Sequence, residues 1–498
     1  MVFNSIEFIC YFPIVFILYW FVFSKHSIPL RNWFLVVTSY IFYGWWDVRF
    51  LCLIIFTSLY SYLAGRWIQR WYDGNSISGK RFNVAKAINI SNIIVNLGIL
   101  FVFKYYNFFV SQLLSKVWFF ENDPILTFII LPVGISFYTF QAISYSIDVY
   151  RQDMEACRDM SSYFAYIAFF PQLVAGPIER AKKLLPQFYS QHNFNPTIAS
   201  DGCRQILWGF FKKIVVADTC GEFVDNIFSN YGNLPSGTLI LGTFLFSIQI
   251  YCDFSGYSDI AIGSARLFGI NLSQNFKFPY FTKNIADFWR RWHISLTTWF
   301  KDYLYIPLGG NRNGIWIWIR NILIVFLLSG LWHGANWTFI LWGLLNAIFM
   351  ITYVIYYNKK RNRANKNALV KEKNRFFAIT AGLNMVLIFI LVSFGRIFFR
   401  SESVEKAFGY INNIFSKPFI DSPMIPGGWK ILLVKCLVPI AFLLGVEWYH
   451  RNRDHGFDIS HITSRSLRWG LYYLLVIMIL FYYFDVSSSV ESFIYFQF

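Results

Sequence analysis

Apolar runs long enough to cross a bilayer recur from one end of this chain to the other, and no other feature limits its fold so tightly. A transmembrane helix needs roughly 20 mostly apolar residues. Clear windows cover residues 6–23, 33–46, 50–68, 88–109, 125–147, 237–252, 315–328, 337–356, 376–398, 431–448 and 471–484, with a weaker one over 214–228. Inside lipid a segment must satisfy its own backbone N–H and C=O groups, so such windows specify helices. Apolar residues make up 56% of the chain and charged ones only 14%, which excludes a water-soluble enzyme. The expectation is an all-α, polytopic integral membrane protein with about 12 transmembrane helices. A single membrane domain is expected to fill residues 1–498, with N-terminal helices in 1–150, a central core in 163–356, C-terminal helices in 376–485 and an external tail in 486–498.

The net charge of +17 would suit a nucleic-acid partner only if the cations shared one face. They cluster instead between spans, where cytoplasmic loops collect Lys and Arg. Residues 358–375 carry eight Lys or Arg against Glu372; Arg66, Arg70, Lys80, Arg81 and Lys86 follow the third window, and Arg451, Arg453, Arg465 and Arg468 precede the last. Placing all three groups on the cytoplasmic side puts both termini outside. No nucleic acid is expected as a partner. The first apolar run lacks the basic flank and small-residue site of a cleaved signal. Seven scattered cysteines without a CxxC are read as packing residues, so neither a disulfide framework nor a metal centre is expected.

One ionisable residue stands out against this background. His333 lies in Ser329-Gly330-Leu331-Trp332-His333-Gly334-Ala335-Asn336-Trp337, between two spanning windows. An ionisable group at that depth costs roughly 2.5–3.5 kcal/mol on insertion scales, which marks it for function. Asn336, three residues on, is expected on the same helical face as a hydrogen-bond donor. A histidine that merely caps the break at Gly330 and Gly334 is the plainer alternative.

Three further segments depart from an ordinary bundle. Phe170-Pro171-Gln172-Leu173-Val174-Ala175-Gly176-Pro177-Ile178 is apolar yet broken by Pro and Gly, and reads as a re-entrant segment or a loop. Asp253 and Ser255, in Tyr251-Cys252-Asp253-Phe254-Ser255-Gly256-Tyr257-Ser258-Asp259, either cap a helix or line a polar passage that meets substrate. Residues 287–301 read as one amphipathic interfacial helix: Phe288, Trp292, Leu296, Trp299 and Phe300 recur at helical spacing. Trp289, Arg290 and Arg291 on that helix are candidates to contact an anionic cosubstrate, with a plain membrane-lipid anchor as the alternative.

These stretches, with Leu331-Trp332-His333-Gly334, resemble the membrane-bound O-acyltransferases in their bacterial polysaccharide-acetylating branch. The resemblance covers nearly the whole chain. It implies tilted helices around a thin centre, with a central tunnel joining a cytoplasmic donor site to an external funnel. It makes His333 the catalytic residue, with His293 nearer the cytoplasm. The implied donor is acetyl-CoA or a similar thioester, with no bound cofactor. The implied acceptor is a glycan, such as an alginate-like polysaccharide or peptidoglycan, reached through an exported SGNH-type (Ser-His-Asp) acetyltransferase partner.

The chemistry is consistent with that assignment. A hydroxyl attacks a thioester poorly until a base removes its proton. Histidine, with an ordinary pKa near ~6.5, suits that role. The oxyanion needs fixed donors, for which Asn336 is the candidate. The end of the chain, Phe493-Ile494-Tyr495-Phe496-Gln497-Phe498, is either an aromatic interface anchor or, by resemblance to an FxYxxF motif, an external relay whose Tyr495 carries the acyl group. A transporter or flippase of a polysaccharide precursor is the competing class, though no inverted repeat is visible.

Overall fold

The computed structural model describes residues 1–74, 80–110, 129–366, 376–420 and 428–486, and these form helices and no strands. Nine helices among them are long and apolar enough to cross a membrane, against about twelve expected. The shortfall has local causes. The second window folds as Ile28–Gly44, only 17 residues. The fifth contributes Ile135–Tyr150, 16 residues, and its start lies outside the described residues. The weak window at 214–228 divides between a π-helical turn, Phe211–Asp218, and the helix Thr219–Ser229. The tail with Tyr495, and residues 367–375 of the basic segment 358–375, also lie outside the described residues.

The chain forms two compact units, Met1–Ile206 with Tyr257–Ser273, and Leu207–Gly256 with Gln274–Phe498. In the first, helix contacts are polar as well as apolar. Asn92 donates to Ser146 Oγ at 2.8 Å and accepts from Ser61 Oγ at 2.9 Å, which ties three helices together. The broken segment 169–178 contains a four-residue helix, Phe170–Leu173, and every residue in it is buried. Two of its polar groups find partners inside the unit: Phe170 N–H donates to Ser39 Oγ at 3.0 Å, and Gln172 Nε2 to the Tyr166 carbonyl at 2.6 Å. Burial within protein is the condition for irregular backbone at membrane depth.

Five helices of the second unit position the functional residues: α1 (Ile285–Arg291), α2 (Ile294–Phe300), α3 (Ile315–His333), α4 (Trp337–Lys366) and α5 (Phe376–Arg400). The α3–α4 hairpin is held by backbone approach at two glycines. A Cβ at Gly330 would lie 2.3 Å from the Phe339 carbonyl oxygen, and one at Gly343 would lie 2.4 Å from that of Phe326. Small residues permit this closeness in membrane bundles, where helix association relies on packing.

Candidate active site

The hairpin delivers His333 as the last residue of α3, with Gly334 as the cap. Its side chain is 5% exposed. Three rings enclose the imidazole edge-on: Trp332, Trp342 and Phe399, with centroids 5.0, 5.0 and 5.2 Å away. These contacts draw on α3, α4 and α5, so the ring is fixed by three helices at once.

Asn336 does not share a helical face with His333. The helix ends before it, and Asn336 opens the next one: its Oδ1 accepts from Thr338 N–H at 3.1 Å and its Nδ2 donates to the Glu402 carbonyl at 2.8 Å. The expected i,i+3 relation fails because Gly334 ends the helical backbone, and Asn is a preferred N-cap. Both ends of its amide are therefore engaged in structure.

The expected single helix over 287–301 is also divided. Between α1 and α2, Trp292 is extended and His293 takes a left-handed conformation, φ 45° and ψ 55°. Such a conformation in a non-glycine residue costs on the order of 1–3 kcal/mol and persists only where surroundings enforce it. Here Asn275 enforces it: its Oδ1 lies 3.1 Å from His293 Nδ1 and accepts from Ser295 Oγ at 2.9 Å. The apolar periodicity itself holds, since Phe288, Trp292, Leu296, Trp299 and Phe300 are all buried. Burial drives the His293 pKa down to about 3, which keeps this imidazole neutral at physiological pH.

His293 and His333 line one cavity of about 540 Å³, together with Trp289, Arg290, Thr297 and Lys301. That volume is in the range of small-molecule sites. Arg290 and Lys301 are exposed, so cationic groups and a buried imidazole border the same space. Arg291 is not on this wall and faces Asp287 at 3.3 Å. A second cavity, of about 10 Å³, is also lined by His333 and Trp289, and adds Asn346 and Arg396.

Arg396 escaped the sequence reading, although an arginine inside the apolar run 376–398 is a functional signal in its own right. It is 3% exposed. Its guanidinium donates to the Ser247 carbonyl at 3.2 Å and to Tyr280 Oη, and lies 4.4 Å over the Trp292 ring.

Asp253 and Ser255 sit in neither cavity lining. They belong to a buried charge cluster in the same unit. Lys213 Nζ is 2.7 Å from both Asp218 and Asp253, while Lys212 donates to Ser255 Oγ at 3.1 Å and lies 3.7 Å from Glu447. Tyr251 also donates to Glu447, at 2.9 Å. Both lysines lie on the π-helical turn, and backbone approaches closely there: a Cβ at Gly256 would lie 3.1 Å from the Lys213 backbone nitrogen. So the structure brings four of the nine candidates together, His333, His293, Trp289 and Arg290. It places Asn336, Arg291, Asp253 and Ser255 elsewhere, and Tyr495 is outside the described residues.

Residues 158–394 match the model of the membrane-bound O-acyltransferase family. The chain is 36% identical over 523 residues to a probable alginate O-acetylase of Pseudomonas putida, covering 100% of both chains. It is 33% identical over 436 residues to the peptidoglycan O-acetyltransferase of Helicobacter pylori, covering 82% of this chain and 78% of that one. A teichoic acid D-alanyltransferase of Bacillus subtilis is 29% identical over 318 residues, covering 58% of this chain and 74% of its own. These relatives are acyl-transferring enzymes by name, which sets the transporter reading aside. The chain belongs to the membrane-bound O-acyltransferase family, as a multi-pass membrane enzyme that transfers acyl groups to oxygen.

Proposed function

We propose that this protein carries an acetyl group from a cytoplasmic thioester, acetyl-CoA or a close equivalent, across the bacterial cytoplasmic membrane for O-acetylation of a surface or exported glycan. The observation that carries this reading is the position of His333, a buried imidazole on the wall of a 540 Å³ cavity that exposed Arg290 and Lys301 also border. His333 removes the proton of the attacking hydroxyl, a role worth about 10²–10⁴-fold. The cations meet the phosphates of the donor, and the apolar wall receives its arm. The names of the relatives support a glycan acceptor, alginate-like or peptidoglycan. The charge pattern supports a donor site facing the cytoplasm and both termini outside. Tyr495 takes the acyl group at the external face and passes it to an exported Ser-His-Asp acetyltransferase partner.

The test is His333→Ala, scored by surface acetyl-ester content beside the yield of monodisperse protein in detergent. We expect normal yield and loss of surface ester by at least about 10²-fold. Wild-type ester levels in that variant would overturn the reading. Tyr495→Phe keeps the ring and removes only the hydroxyl; undiminished acetylation there would leave the tail as an anchor.

A further inference from the structure

Besides His333, the two cavities share Trp292 and Trp289. The Trp289 indole is packed between Phe326 and Trp342, with centroids 5.3 and 5.9 Å away, yet its Nε1–H is buried with no acceptor among the described residues. A buried donor left unpaired costs on the order of 1–3 kcal/mol, so its persistence asks for an explanation. The small cavity supplies one. Its volume of about 10 Å³ is close to that of a single water or one oxygen atom. Arg396 is the one charged side chain among its described lining residues. Asn346, on the same wall, already gives its Nδ2 to the Trp342 carbonyl at 2.8 Å.

We infer that this small cavity is the oxyanion pocket of the acyl transfer, with the Trp289 indole N–H as its hydrogen-bond donor and Arg396 as its fixed positive charge. The assignment rests on the thioester reading given above. The hydroxyl oxygen of the acceptor bonds to the carbonyl carbon while its proton passes to His333. The carbonyl π pair moves onto oxygen, which lies in the small cavity. Collapse then reforms C=O, breaks the carbon–sulfur bond and returns the proton from His333 to the leaving thiolate, so charge and protons balance. A donor and a cation fixed in a water-poor site stabilise charge that exists only in the transition state. Arg396 has a positioning task as well, since it braces Trp292 at the turn that presents His293.

Trp289→Phe keeps a ring between Phe326 and Trp342 and removes only the donor. Benzothienylalanine at position 289, which puts sulfur where the N–H was, does the same with less change of shape and serves if the phenylalanine variant is unstable. Turnover of acetyl-CoA by purified protein should fall about 10²–10³-fold, the usual loss for one oxyanion donor, with donor KM little changed. Two inhibitors give a readout independent of turnover: the ketone analogue with CH₂ in place of the thioester sulfur, and S-ethyl-CoA, which lacks the acyl carbonyl. Wild type should favour the ketone by about tenfold, the worth of one hydrogen bond, and the variants should lose that preference. Unchanged turnover and an unchanged ketone preference in both variants would overturn the inference. His333→Ala run alongside separates it from the parent reading, which fails alone if that variant stays active. Surface ester release from cells carrying the same variants gives the turnover comparison without assuming the donor. A wild-type ester level in the position-289 variants overturns the inference by that route too.

Discussion

Two buried polar clusters occupy the second unit, and they are built on opposite principles. Around Lys212 and Lys213 every charge faces an opposite charge or a hydroxyl at 2.7–3.7 Å. Around His333 the neighbours are rings and two cavities. A buried ion pair roughly offsets its own desolvation, and what it does strongly is penalise removal of either partner. A site for chemistry must instead keep space and at least one group whose partner arrives with the substrate. Depth and polarity are common to both clusters; accessible volume tells them apart.

The sharpest way to break this contrast is Lys213→Met. It leaves Asp218 and Asp253 buried without their shared cation, and we expect a stability loss of about 3–5 kcal/mol. Thermal unfolding in detergent measures it, while turnover per folded molecule stays near wild type. A variant that unfolds normally but turns over slowly would move the charge cluster into the reaction path.

A smaller effect belongs to the cavity wall. Arg290→Gln should raise donor KM about tenfold, the value of one charge-assisted hydrogen bond, with kcat and thermal stability unchanged. Arg291→Gln should do less, because that guanidinium faces Asp287. Equal KM effects at both positions would show that membership of the cavity wall does not decide donor contact.

The smallest expected effect is at Asn336. Asn336→Ala should cost about 1 kcal/mol through loss of an N-cap, read in thermal unfolding, and leave kcat alone. A large fall in kcat at normal stability would return Asn336 to the oxyanion role.

The helices, and a buried His333 between two of them, were legible because each announces itself locally. Long apolar windows can satisfy their backbone only as helices, and an imidazole between two of them is conspicuous by cost. What stayed hidden was decided by distant partners. The break at His293 depends on Asn275, 18 residues earlier, and helical periodicity carries no trace of that contact. Asp253 looked like a substrate contact because nothing near it in sequence reveals Lys213, 40 residues before it on a widened helical turn. Two misses were avoidable. Asn336 immediately ahead of Trp337 is an ordinary helix-start signal, and Arg396 lay in plain view within an apolar run.

The glycine clamp between α3 and α4 bears on how this enzyme would look to a geneticist. His333 reaches its cavity from the end of a helix whose closeness to its neighbour depends on hydrogen atoms at positions 330 and 343. Neither glycine lines the two cavities around the imidazole. A screen that recovers loss of acetylation would nonetheless score Gly330→Ala or Gly343→Ala beside His333→Ala. One methyl group at either place forces apart the hairpin that aims His333, so the map of inactivating alleles should extend well beyond the residues that line the cavities.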